Sequence, residues 1–355
     1  MIRINRRAFL TTSLLAAPAI MTASRAFAQE RSLQFGNFAS LQGKTIRDSV
    51  IPKFEEDFKC KVYSTDGATL THMASLRATK GKPKYDVVLM DDTGVGVAKN
   101  EDLIVPIMSD AVPNIKNVIK RFVIEDGYGT GFAVSAGGLY INPQLTKPLE
   151  SYGDLWDSRF QRKFLMGTPK YTQSTFLLIA VASVITGKPF KEAQYLIDDK
   201  VWSKMAELKQ NVLTIYDATS QVMMVPQGQA VVGGIEYTKN VYPLKAKGIP
   251  IDMVFPKEGA FAGVNCITMA KNSSQPELAA AFINRILSPE VQKLLAEATF
   301  TAPSITGLKF DETISPYLIY PEDKLDQMNL FMPDWSYINP NRPKWLEKYN
   351  EVFGS

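Results

Sequence analysis

Two periodicities share this chain, one suited to buried strands and one to helices. Residues 33–38 (LQFGNF) alternate loosely and predict a first strand. Over 45–58, Ile46, Val50, Ile51, Phe54 and Phe58 recur near helical spacing, with Pro52 marking a start or a kink. Residues 61–64 predict a short strand, 71–79 a helix closed by Lys80-Gly81, and 85–90 (YDVVLM) a continuously apolar strand, as covering on both faces requires. Around the tight Asp126-Gly127 turn, 122–125 and 128–134 read as strands. Residues 129–143 (GTGFAVSAGGLYINP) form a β-prone run broken by Ser135, Ala136, Gly137 and Gly138. Glycine inside a strand marks a bulge or a close approach, so this is either a core strand with a bulge or one passing the floor of a cleft.

Further along, 152–157 predicts a short helix, 163–167 a strand, 169–175 (PKYTQST) a loop, and 176–186 a long helix ending at Gly187 and Pro189. Helices follow at 191–199 and 201–210, and a strand at 213–216. Asp217 to Ser220 then cap a helix reaching Pro226. Residues 230–235 (AVVGGI) form a buried strand leading through Glu236-Tyr237-Thr238 into a helix that ends at Lys247. Strands at 251–256 and 261–269 flank Lys257-Glu258-Gly259, and helices occupy 276–287 and 291–298. The last stretch, rich in aromatics, Pro and Asn, reads as a tail wrapping the body, ending in a short amphipathic helix with Trp335 and Trp345 as anchors.

Alternating strands and helices imply a parallel sheet with crossover helices, in which ligands bind beyond the carboxyl ends of the strands. That places Asn37, Phe38 and Ser40 after the first strand, residues 65–69 after the second, and Asp91 and Asp92 after the third, all as candidate ligand positions.

Charge sharpens this picture at the amino end. Arg6-Arg7, an apolar run to Met21 and Ala26-Phe27-Ala28 resemble a twin-arginine export signal over residues 1–28, too short to span a bilayer comfortably. The leader holds four of the 40 basic residues (Arg3, Arg6, Arg7, Arg25) and no acidic one. The remaining chain therefore balances 36 basic against 36 acidic side chains, and its formal +4 belongs to the leader. Nothing electrostatic then favours nucleic acid or an acidic membrane surface. Cys60 and Cys266 are expected as buried, unpaired thiols, and the single histidine, His72, as a surface or capping residue. Two cysteines and one histidine supply too few ligands for a typical zinc site, and neither a metal nor a cofactor is expected.

At 251–259 (IDMVFPKEG) and 272–292 (NSSQPELAAAFINRILSPEVQ) the chain resembles the periplasmic binding proteins of ABC importers, most of all the spermidine/putrescine-binding branch. YDVVLMDD, YGTGFAVSAGGLYIN, SYGDLWDSRF and 220–234 stand in the corresponding order. The resemblance implies a non-enzymatic, periplasmic, monomeric protein that passes a solute to a membrane permease. It implies two α/β lobes, each a mostly parallel sheet flanked by helices, joined by two hinge strands. Lobe one comprises 29–136 plus 258–310, lobe two 137–257, and the tail 311–355. The hinge crossings fall at 134–142 and 254–261, making Ser135 and Phe261 candidate cleft residues.

Where polyamine binders of that branch carry paired acids at the lobe-two helix start, this chain has Tyr171 and Ser174, and where they place Trp and Asp it has Gly263 and Asn265. Tyr237 retains an aromatic. An ammonium buried without a counter-charge costs several kcal/mol of desolvation, whereas Gln173, Ser174 and Thr175 at a helix start suit an anion. A carboxylate- or phosphate-bearing solute therefore ranks above a polyamine, with Asp91, Asp92 and Glu236 available for an amine. A hydrolase lacks a nucleophile elbow around Ser135, leaving only paired-carboxylate chemistry between Asp91-Asp92 and Glu236. Ferric-ion binding lacks an adjacent tyrosine pair.

Overall fold

The computed structural model describes residues 31–354; the expected leader lies outside the described residues. Eleven strands form one sheet: β1 Ser32–Phe38, β2 Lys61–Gly67, β3 Val87–Asp91, β4 Ile104–Val105, β5 Val123–Ile124, β6 Gly129–Ile141, β7 Phe164–Gly167, β8 Val212–Tyr216, β9 Val232–Tyr237, β10 Asp252–Val254 and β11 Phe261–Ala270. Its main path runs β2-β1-β3-β11-β6-β9-β7-β8. Parallel pairing joins β2, β1 and β3 on one side and β9, β7 and β8 on the other. Between them β6 and β11 run antiparallel, from Gly137 opposite Phe261 to Thr130 opposite Ile267.

All thirteen residues of β6 are buried. The strand runs on through its glycine-broken centre, where its register with β9 shifts between Gly138 and Tyr140, and it is shared by two packing environments. The larger core draws on residues 33–136 and 260–330. A second uses residues 139–261 together with Trp335, Ile338, Trp345 and Tyr349, and a small third lies around Tyr140, Tyr216 and Val241. On β6 the changeover falls between Ala136 and Leu139. Small residues let these layers approach: a Cβ on Gly233 would stand 1.9 Å from the ring of Tyr140.

Several local expectations shift. The helix expected over 45–58 begins earlier, at Leu41, capped by Ser40. A π-helical turn at Ile46–Val50 leads without a break into Ile51–Phe58, so Pro52 lies inside one helical run, just after the wide turn. The helix expected after Ser220 is a 3-10 turn, Thr219–Met224. Those expected at 191–199 and 201–210 are Phe190–Ala193 and Asp199–Leu208. The tail ends in a nineteen-residue helix, Trp335–Phe353, that carries Pro340 and Pro343. His72 is fully buried rather than at the surface, with Nε2 bonded at 2.8 Å to the carbonyl of Asn37, and burial lowers its pKa. Both cysteines are free and buried. Among the described residues no helix is long and apolar enough to cross a membrane.

Candidate functional site

Strands from both halves of the sheet end toward one cleft. Beyond β2, β3, β7 and β9 begin the helices Thr69–Ala78, Asp92–Asn100, Thr172–Thr186 and Thr238–Ala246. None of the four has a side-chain cap from its N-cap residue, these being Ala68, Asp91, Tyr171 and Tyr237. First-turn N–H groups lack partners within their own helix, so uncapped starts turned to a cleft offer donors and positive potential.

Two cavities occupy the cleft. The inner one, about 260 Å³, is lined by Asp91, Thr172, Gln173, Tyr237, Lys239 and Asn265, among others. The outer, about 330 Å³, is walled by Phe38, Ser40, Leu41, Gln42, Ala68 and Pro243. Asp91, Lys239, Asn240 and Asn265 border both.

Most of the acids here are already engaged. Asp91 accepts from the Thr69 hydroxyl and the Asn265 amide, each at 2.8 Å. Asp92, 5 % exposed, accepts the Trp335 indole N–H at 2.9 Å and the Thr93 N–H at 3.0 Å, and burial pushes its pKa up to about 7. Glu236, 2 % exposed, accepts from the Tyr216 hydroxyl, the Tyr237 N–H and the amides of Asn240 and Gln173. Its work is to hold two amide side chains against the inner cavity.

Lys239 is the cation of the cleft. Among the described residues its ammonium has no carboxylate partner. It stands 3.4 Å from Asn265 Oδ1 and 5.5 Å from the centroid of the Tyr237 ring. That ring lies over Gly263, where a Cβ would come within 2.3 Å of it, and the Tyr237 hydroxyl bonds Thr172 at 3.2 Å. Burial raises the Tyr237 pKa further, so the phenol stays neutral.

Of the residues singled out from sequence, the structure brings Asp91, Asp92, Gln173, Tyr237 and Asn265 together at the inner cavity, and Phe38 and Ser40 at the outer. Glu236 stands behind the wall. The others lie elsewhere. Asn37 is fully buried and holds the Gly43 carbonyl. Ser135 is 1 % exposed on β6, opposite Gly263. The Tyr171 hydroxyl donates to the Asp217 carbonyl. Ser174 donates to the Thr168 carbonyl at 2.7 Å, and with Thr175 borders a small cavity against Trp345 and Tyr349. Phe261 stacks between Phe176 and Phe190 in the second core. Thr172 falls in the stretch expected to hold a carboxylate and does line the inner cavity, whereas Lys239 and Asn240 were not foreseen. Lys239 and Asn240 open the helix after β9, and position beyond a strand end was the available signal. Among the described residues, no group of three or more His, Cys, Asp or Glu is placed to hold a metal ion.

The family model for bacterial extracellular solute-binding proteins matches residues 49–318. The chain belongs to that family. This solute-binding protein is 24% identical over 286 residues to the spermidine/putrescine-binding periplasmic protein of Escherichia coli (strain K12), covering 77% of this chain and 79% of that one. A crystal structure of an ABC transporter from Clostridium perfringens superposes with a TM-score of 0.77 at 20% identity, over 90% of this chain and 99% of that one. The periplasmic binding protein AfuA from Actinobacillus pleuropneumoniae, with fructose-6-phosphate bound, gives 0.69 at 16% identity, over 92% and 99%. At these identities the neighbours establish the two-lobe α/β fold of the solute-binding protein and leave its ligand to its own residues.

Proposed function

We propose that this protein captures a small solute bearing a carboxylate or phosphate group and hands it to the permease of an ABC importer in the periplasm, as a monomer and without chemical turnover. One observation carries the ligand class: Lys239, whose ammonium has no carboxylate partner among the described residues, shares the cleft with the uncapped helix starts at Ala68, Tyr171 and Tyr237. A polyamine, as named for the Escherichia coli relative, would meet that like charge where Asp92 and Glu236 are already engaged. Asp91, bordering both cavities, favours an amine on the same solute and so a zwitterion as the second reading.

The lobes are proposed as 29–136 plus 258–310 and 137–257, with 311–355 packing on both. Closure about the crossings at 134–142 and 254–261 would be driven by the solute's greater affinity for the closed state. A thermal-shift screen of carboxylates, phosphate esters, amino acids and polyamines tests the ligand class, since tight binding stabilises by mass action. Stabilisation by spermidine or putrescine alone would overturn it, and consumption of any stabilising compound would overturn the binding-protein role.

A further inference from the structure

At the wall of the outer cavity lies a buried polar atom with no partner among the described residues. Gln42 lines it and is only 5 % exposed, and its Nε2 has no hydrogen-bond partner. A buried amide nitrogen without a partner gives up the hydrogen bonds it would make to water, so such a group calls for an explanation. The uncapped start of the helix Thr69–Ala78, at Ala68, borders the same cavity and also presents donors. The intervening wall is apolar, from Phe38, Leu41 and Pro243. Asp91, Lys239, Asn240 and Asn265 are common to both cavities, so outer and inner are two compartments of one cleft.

We infer that the solute is elongated and two-headed, with its anionic head at Lys239 in the inner compartment and a second hydrogen-bond acceptor read by Gln42 in the outer one. This rests on the anionic-solute reading above. The chemical class is an α,ω-difunctional organic acid whose second end is a carboxylate, carbonyl or hydroxyl, joined by a short apolar segment that lies against Phe38 and Pro243. The Gln42 Nε2 is shielded in this conformation; rotation of the amide would bring its donors to the cavity, where the ligand would relieve the unpaired group.

Isothermal titration of the whole protein with dicarboxylates of three to eight carbons, each beside the monocarboxylate of equal length, provides the test. A dicarboxylate of matching length should bind at least about tenfold more tightly than its monocarboxylate, a difference of about 1.4 kcal/mol. Gln42→Leu should erase that advantage, lowering dicarboxylate affinity toward that of the monocarboxylate. If Gln42→Leu is misfolded by circular dichroism, Gln42→Glu replaces it, and should disfavour the dicarboxylate selectively by like-charge repulsion. Equal affinities for the paired acids, or equal losses for both in the variants, would overturn the two-headed solute while leaving the anionic one intact. Failure of every carboxylate and phosphate ester to bind, with a polyamine binding instead, would overturn both.

Discussion

Trp335 donates its indole N–H to the Asp92 carboxylate at 2.9 Å, across 243 positions of sequence. The bond ties the first turn of the helix after β3 to the start of the C-terminal helix. Asn339 adds a second tie, to the Thr93 carbonyl at 2.9 Å.

That bond sits on a carboxylate held at about 7 by burial, against an ordinary 3.8. Because the folded value is the higher one, the native state binds the extra proton between those limits. Stability from this group is therefore greatest at low pH, falls as pH rises through the window and levels above it. Asp92→Asn keeps an acceptor for Trp335 but carries no charge. It should match the parent below the window and exceed it above by up to a few kcal/mol, at about 1.4 kcal/mol per pKa unit. Denaturant unfolding at several pH values reads this, and an unaltered pH profile in the variant would place the proton elsewhere.

Lys239→Met retains the aliphatic stem over Tyr237 and deletes the ammonium. Affinity for the anionic solute should fall on the order of ten- to a hundredfold, the range of a charge-assisted hydrogen bond. Unliganded melting should change little. Full retention of anion binding would remove Lys239 from the site.

Gly263→Ala puts a methyl 2.3 Å from the Tyr237 ring, which must swing away and release Thr172. Solute affinity is expected to drop with a modest loss of stability. Gly233→Ala, aimed at the fully buried Tyr140 ring, should instead lower stability by about 1–3 kcal/mol, as overpacking does. Comparing melting and binding for the two variants separates site from core.

Cys60 and Cys266 should both resist a thiol-specific disulfide reagent in the native protein and react together once it is denatured. Burial raises both thiol pKa values, and both side chains are shielded. Rapid labelling of either in native buffer would contradict the packing described for it.

Strand positions were legible because the apolar runs YDVVLM and AVVGGI allow few alternatives, and the loops beyond them did contain the cleft. What sequence could not specify was rotation about each helix. At about 100° per residue, Thr172 and Gln173 face the inner cavity, while Ser174 turns back to the Thr168 carbonyl and Thr175 lies toward Trp345. Charge misled in a similar way. Asp92 and Glu236 read as available to an amine, because their partners Trp335 and Tyr216 lie far from them in sequence. His72 was misjudged for the same reason: its buried site is made by the Asn37 carbonyl and the Tyr85 ring, and no pattern around position 72 reveals either.

Neither major core is built from one continuous run of chain. The first needs residues from Leu33 to Ala136 and again from Ala260 to Leu330, and the second is completed only by Trp335 to Tyr349. A nascent chain therefore cannot finish one half and then begin the other; the second half waits for Trp335 to Tyr349 to close its core. Any truncation before the C-terminal helix should leave an open apolar face, so a cell sees either the finished molecule or a substrate for its chaperones and proteases.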